Sequence, residues 1–481
     1  MPLLLPKQQR AMEKVLFRDC QSDFAKVQST KKKRLLREFY VTGAIKQDRI
    51  CFFVLPDESN KQLLDCINSG SSILFHGVRG SGKTTRCLFA IENQLPNYCS
   101  LYVSLQAMEI NDTTSFWTTF ANRLLSYNSA KFCVNKITIT NAQDFLELFK
   151  LFEKPVVLFV DEFDLLLYGE EKTRAVFLDC LAELKKNRNL HSFVAIGPLK
   201  IIDVTKETKI FSESILTCPT FTWEETQHLF LEYANEYNCQ ISDLVVQDIW
   251  KRTGGHAGQI CLCGKVIHET IKNKLDFKEW IQFAVKHLPT KVAFQWQISS
   301  RLQQLEKEEK IRDLLLNCFL ANHKIRLNES HAVQIAIDLS TVGVLTGDPS
   351  TNEFWIPSPL IRAVVWSSLP IHGQLSVLPP IEHGLFNVVS LIKNGLPLFN
   401  RNAKRDTEGP NALVYQVELM ILLHKWFGNL FTWQIETEAD AEGNCNIIIT
   451  KEQRKRYLLE LVTSNEVKEN SLEGHYNRAQ F

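Results

Sequence analysis

The chain has 481 residues, which is enough for about three domains of ordinary size. Hydrophobic residues make up 45% and charged residues 23%, excluding a largely disordered chain, a collagen-like repeat and a coiled-coil rod. The 55 Lys and Arg nearly cancel the 54 Asp and Glu, so no overall field draws the chain to nucleic acid or to a membrane.

The 13 cysteines are odd in number and contain no CxxC spacing, so neither a zinc ribbon nor a thioredoxin-like motif can form from neighbours, and free thiols fit a reducing compartment. Met1–Pro6 is too short for a signal core, and no run approaches the length of a membrane span. The expectation is a protein of cytoplasm and nucleus without membrane contact.

Residues 1–54 come first in chain order. Residues 1–50 hold 12 basic and 5 acidic side chains, and Met12, Val15, Leu16, Phe24, Val27, Leu35 and Leu36 recur at helical spacing over 7–38. This predicts a basic helical segment, with Lys31-Lys32-Lys33-Arg34 as a nuclear-import signal. Residues 55–220 then alternate short apolar runs with helical stretches. The runs are Ser72–His76, Ser100–Ser104, Val156–Val160, Ser192–Ile196 and Ser214–Cys218, the rhythm of a parallel sheet covered by helices.

After Pro219 strands are expected to stop. Residues 221–290 read as a helical lid interrupted at Thr253-Gly254-Gly255. Residues 291–366 read as helices followed by a hairpin with arms Val342–Leu345 and Glu353–Ile356 and the turn Thr346–Asn352, the outline of a winged helix. A linker is placed at 367–382. Residues 383–481 predict a helix at 411–427, strands near 431–436, at Asn446–Thr450 and at Tyr457–Val462, and a terminal helix.

Gly77-Val78-Arg79-Gly80-Ser81-Gly82-Lys83-Thr84 matches G-x-x-x-x-G-K-[ST] at every fixed position, between a strand and a helix. Such a loop cradles phosphates on backbone N–H groups at a helix N-terminus. Gly77 to Thr85 are therefore the expected nucleotide-binding residues, with Lys83 reaching the β- and γ-phosphates and Thr84 ligating Mg²⁺. Val156–Val160 runs into Asp161-Glu162, which supplies a second metal ligand, Asp161, and a general base for water, Glu162. A strand separates the two motifs in sequence, as in the ASCE branch of P-loop ATPases. Asn273-Lys274-Leu275-Asp276 matches the guanine-reading N-K-x-D pattern but ends a helix instead of following a buried strand, so ATP is the expected nucleotide. Gly197-Pro198 stand where a polar residue would favour efficient hydrolysis, so turnover is expected to be slow.

Leu74-Phe75-His76-Gly77, Pro155–Asp164, Ala195-Ile196-Gly197 and Thr253–Cys261 together resemble the P-loop module of Crinkler-type proteins. The Thr-Gly-Gly-His segment is similar to the lid motif of STAND and origin-recognition-like ATPases, which usually carry Pro where this chain has Ala257. The resemblance extends through Trp355–Arg362 to Tyr415–Glu418 and Leu459–Val462. It implies an effector that acts in a host nucleus, with an NTPase module fused to a PD-(D/E)XK restriction-endonuclease-like domain. It also implies a translocation header, L-x-L-F-L-A-K, that is not found here.

A nuclease of that kind holds metal on a helix Glu, a hairpin Asp and a strand Glu, and orients water with Lys. Glu418 and Glu460 fit the two Glu positions, but Asn446 stands for Asp and Val462 for Lys. Asp440 or Lys455 could compensate, and Glu460 reads equally well as an ordinary strand residue. Residues 401–481 carry 10 basic and 12 acidic side chains, so no field supports phosphate binding. A nuclease fold with impaired chemistry is expected.

The fold class expected from all this is α/β and multidomain: an ASCE-type P-loop NTPase with a helical lid, a winged-helix-like domain and a restriction-endonuclease-like domain. The function expected is an ATP-driven switch of Crinkler effector type, with Mg²⁺ as cofactor. Its partners would be a nucleotide, DNA or a host nuclear protein, and further copies of itself. Two rivals are a non-cutting interaction protein with a residual ATP site and an origin-recognition-like DNA-loading ATPase.

Overall fold

A computed structural model describes residues 36–45, 50–56, 58–128, 139–208, 210–211, 214–270, 274–298, 300, 302, 311, 314–315, 324–348, 350–368, 381–382, 385–395, 419–420, 422–423, 426, 433–439, 445–451 and 455–459. Every contact below lies within the unit Glu38–Phe481. The basic run Lys31–Arg34 lies outside the described residues.

Five strands build the central sheet: β1 (Ser72–His76), β2 (Cys99–Ser104), β3 (Val156–Asp161), β4 (Ser192–Gly197) and β5 (Ser214–Thr217). All neighbouring pairs are parallel, in the order β2-β3-β4-β1-β5. The five apolar runs of the sequence thus became the five strands, within one residue at most ends. They carry β-branched and aromatic residues that are buried on both faces, as a helix-covered parallel sheet requires. The strand that separates β1 from β3 in space is β4, while Cys99–Ser104, which separates them in sequence, lies at the edge.

Alternation along the strands sorts their side chains into two cores. Ile73, Phe75, Val157, Phe159, Val194 and Ile196 pack with Leu63 and Ile67 of helix α1 (Lys61–Asn68) and with Cys87 of α2 (Lys83–Phe89). Leu74, Leu158, Val160, Phe193 and Ala195 face the other way, toward α3 (Thr113–Tyr127), α4 (Ala142–Phe149) and α5 (Glu171–Lys186). There Phe116, Trp117, Phe120, Phe145 and Phe177 interlock with ring centroids 5.2–6.3 Å apart. These aromatics are core, and none is presented as a base-stacking platform.

The predicted helix over 7–38 does not extend through its described end. Residues 36–45 and 50–54 are non-helical, and Glu38 bridges Cys51 in parallel, with Phe52 N–H donating to the Glu38 carbonyl at 3.0 Å. The aromatic and β-branched residues around Phe39 and Phe52 favour extended backbone. The Phe39 and Phe52 rings lie 4.9 Å apart, tilted by 31°, and bury against Phe230 and Tyr233.

Beyond the sheet follow α6 (Trp223–Tyr237), α7 (Asp243–Thr253), α8 (Ala257–Thr270) and α9 (Phe277–Trp296). A reciprocal capping box of Thr222 and Glu225 starts α6. Strands do not stop after Pro219, however, because β6 (Gln240–Ile241) pairs in parallel with β7 (Lys274–Leu275). Lys274 and Leu275 of the N-K-x-D look-alike therefore belong to a strand, and Asp276 caps α9 by accepting from Glu279 N–H at 2.9 Å. That task explains the Asp without any guanine.

Short β8 (Ile325–Arg326) lies within a stretch expected to be helical, and pairs with β10 (Glu353–Trp355). After α10 (Ser330–Val342), the hairpin is formed by β9 (Thr346–Asp348) and β10, so its first arm starts four residues later than the pattern predicted. Gly343 ends the helix at φ +85°, and the fully buried Val344 and Leu345 are spent in the core before an arm can begin. Helix α11 (Pro359–Ser368) follows. Helix α10 packs on the turn Leu199–Lys206 through an ion pair of Lys200 with Asp338 and through Gln334 Nε2 donating to Asp203 at 3.3 Å.

Most of the expected linker lies outside the described residues. Beyond it stand β11 (Ile381–Glu382), β12 (Leu385–Phe386), α12 (Val388–Gly395) and an antiparallel meander of β13 (Trp433–Ala439), β14 (Cys445–Lys451) and β15 (Lys455–Leu459). Asn446 lies on β14 opposite Glu438. Glu418, Asp440, Glu460 and Val462 lie outside the described residues. Among the described residues, no helix is long and apolar enough to cross a membrane.

Candidate functional site

The loop Gly77–Gly82 leaves the end of β1 and feeds α2, with Gly82 as the helix N-cap at φ +95°. Only glycine adopts that backbone without strain. A Cβ on Gly77 would stand 2.9 Å from both Cys218 Cβ and Ser81 Oγ, and one on Gly80 would stand 3.0 Å from Trp296 Nε1. Lys83 folds back over the loop, its Nζ donating to the carbonyls of Gly77 (2.8 Å) and Val78 (3.0 Å). Thr85 Oγ1 accepts from the Ile45 backbone N–H at 3.1 Å, tying the extended N-terminal segment to the start of α2. Ser81 Oγ is buried with no hydrogen-bond partner.

The acidic strand end meets this loop directly. Thr84 Oγ1 donates to Asp161 Oδ2 at 2.7 Å, although the two residues belong to β3 and to the helix after β1, with β4 in between. Tyr102 donates its hydroxyl to the same oxygen at 2.9 Å, and Glu162 N–H donates to Asp161 Oδ1 at 2.9 Å. Burial, then the Asp161 charge, pushes the Tyr102 phenol far above its ordinary value, so it stays a donor. Glu162 takes φ +54°, which turns the chain out of the strand and leaves its side chain exposed beside the buried Asp161.

The motif reading missed two groups here. Asp164 is the third carboxylate of Asp161-Glu162-Phe163-Asp164 and was in plain view in the sequence. It is 4% exposed, and burial, then the Glu162 charge, pushes its carboxyl up to about 7. Tyr102 had no motif to announce it, since its role follows from register. It pairs with Phe159, so Asp161 is its diagonal neighbour on the same face.

The lid closes on the loop through backbone. Gly258 N–H donates to the Gly80 carbonyl at 2.9 Å, and a Cβ on Gly258 would stand 2.7 Å from that oxygen. His256 Nε2 donates to the Arg79 carbonyl at 3.0 Å while its Nδ1 accepts from Gln259 N–H at 3.2 Å, which fixes one neutral tautomer. His256 and Gly258 thus clamp Arg79 and Gly80, and the small Ala257 between them comes close to Gly82.

Burial lowers both His256 and His76 to about 4. A folded value below the ordinary one of about 6.5 means that the stabilisation is complete above pH 6.5 and is lost as pH falls toward 4. Over that window a displacement of this size is worth about 3 kcal/mol per histidine. Thermal melts of the native chain should therefore weaken from pH 6.5 to 4, and His256→Gln, which keeps a polar group but does not titrate there, should flatten the decline. An identical acid limb in the two chains would contradict this role for His256.

A nucleotide with Mg²⁺ fits these residues. The orphaned Ser81 hydroxyl and the positions where a Cβ on Gly77 or Gly80 would intrude mark a cradle, and the Thr84–Asp161 pair offers two oxygen ligands suited to a hard cation. Among the described residues no group of three or more His, Cys, Asp or Glu gathers to hold a metal.

The chain matches no protein-family model and no curated protein. Among solved structures it is similar to a Walker-type ATPase of Pyrococcus abyssi, at 12% identity and a TM-score of 0.51, covering 68% of this chain and 99% of that one. An ORC2 protein of Aeropyrum pernix matches at 12% identity and a TM-score of 0.41, covering 68% of this chain and 94% of that one. The Crinkler-type resemblance and the nuclease reading draw no support from these comparisons. With the five-stranded parallel sheet, the loop after β1 and the acidic end of β3, the likeness to the Pyrococcus protein shows that the chain has the fold of a P-loop ATPase.

Proposed function

We propose that the chain binds ATP with Mg²⁺ at Gly77–Thr85 and Asp161 and hydrolyses it slowly, using the nucleotide state to set the packing of the lid. The observation that carries this reading is the 2.7 Å bond from Thr84 to Asp161, which joins the phosphate loop to the acidic strand across β4. Lys83 would exchange its bonds to the Gly77 and Val78 carbonyls for phosphate oxygens, and Thr84 and Asp161 would hold the metal. The metal's chemistry, when bound, is to offset charge on the phosphates. Glu162, turned out of β3, takes the proton of the attacking water. Because His256 and Gly258 grip the carbonyls of Arg79 and Gly80, a change in the loop is felt by α8. A phosphate-release assay on the full chain tests this reading: slow ATP- and Mg²⁺-dependent release supports it, and none at any nucleotide concentration contradicts it.

Residues 383–481 are read as a restriction-endonuclease-like domain of impaired chemistry, supported by the antiparallel β13-β14-β15 order with Asn446 at the start of β14. An Asn removes a charge from a metal clamp, and Val462 cannot orient water. Asn446→Asp combined with Val462→Lys should raise Mg²⁺-dependent DNA cleavage above that of the native chain. Efficient cutting by the native chain would refute the impairment. An effector role in a host nucleus rests on the Crinkler-type resemblance alone.

A further inference from the structure

The C-terminal end of β4 lies between the two halves of the site. Gly197 pairs with His76, which precedes the phosphate loop, and its neighbour Ile196 pairs with Asp161. Gly197 thus ends the strand next to both halves, and it carries no side chain of its own. A Cβ there would collide with Ile201 and come 3.1 Å from Asp164 Oδ1. Ile201 takes most of that space, and beside it stands the Asp164 carboxyl, from the short helical turn Phe163–Tyr168 that follows β3. Phe163, fully buried with its ring 5.5 Å from that of Phe193, pins that turn. Asp164 Oδ1 is buried without a hydrogen-bond partner, a condition that costs about 1–3 kcal/mol unless a donor arrives. Lys83, Asp161 and Glu162 are all within its electrostatic reach.

We infer that Asp164 holds the water that attacks ATP, its Oδ1 accepting one water hydrogen while Glu162 takes the other proton. The inference rests on the ATPase reading above and names the positioning group of that site. As the water oxygen bonds to the γ-phosphorus, the bond from that phosphorus to the bridging oxygen of ADP breaks. One proton passes to Glu162, the electron pair leaves with ADP, and inorganic phosphate forms with no further reactant. A polar group that a strand end would supply in this place comes here from the turn one strand away, which is why Gly197 is compatible with hydrolysis.

The test uses the full chain and three variants, with turnover and ATP·Mg²⁺ affinity measured separately. Asp164→Ala should lower kcat roughly 10- to 100-fold, as expected for a misplaced nucleophile, and leave Kd within about threefold. Asp164→Asn keeps an acceptor oxygen in place and should retain most of the native kcat. Asp164→Val, which fills more of the space, should behave as Ala does. Because Asp164→Ala and Asp164→Val each remove a buried carboxyl with an unpaired oxygen, both should melt at or above the native temperature. Native turnover in Asp164→Ala and Asp164→Val, or an equal loss in Asp164→Asn, would overturn the assignment while leaving the ATPase reading intact. A native chain that binds ATP yet releases no phosphate would overturn the hydrolysis reading, and this inference with it.

Discussion

Glu162→Gln should keep ATP bound while slowing phosphate release by on the order of 100-fold or more, the range for losing a positioned general base. The substitution retains length and polarity but cannot accept a proton. Glu162 is exposed at the mouth of β3, so the change disturbs no packing. Its backbone N–H still donates to Asp161 Oδ1, which keeps the metal side of the site in place. Single-turnover phosphate release with the nucleotide pre-bound separates chemistry from binding. An unchanged rate would remove Glu162 from the mechanism.

Lys83→Ala should have the larger effect on binding. The ammonium is held by two loop carbonyls, and no other Lys or Arg side chain donates to them among the described hydrogen bonds. On the ATP-binding reading, removing it takes away the cation that would meet the phosphates and would leave the Gly77 and Val78 carbonyls turned toward an anion. Ligand at 100 times its Kd raises stability by about 2.7 kcal/mol. The native chain should therefore melt at a higher temperature with saturating ATP and Mg²⁺, and Lys83→Ala should show no such shift. An equal shift in both would place the nucleotide elsewhere.

The sheet was legible in the sequence because β-branched runs buried on both faces leave a continuous apolar signal, and because the phosphate loop fixes its own strand and helix. The meeting of Thr84 with Asp161 was foreseeable for the same reason: the loop and the acidic strand end both carry motifs of rigid spacing. Tyr102 was not readable, since its reach to Asp161 depends on strand register that only the folded sheet sets. Short strands such as Lys274–Leu275 and Ile325–Arg326 are too brief to leave an alternation. The hairpin was misplaced because Val344 and Leu345 look like a strand but are buried beneath the helix end. Gly197 was read as a missing polar group, and in the fold a Cβ there would meet Ile201 first, with the Asp164 carboxyl 3.1 Å away.

Titration calorimetry of the full chain with ATP, in Mg²⁺ and again in excess chelator, tests the central claim most directly. If Gly77–Thr85 and Asp161 form one site, ATP should bind at one per chain and bind more weakly when the metal is withdrawn from Thr84 and Asp161. No binding in either condition would contradict the account.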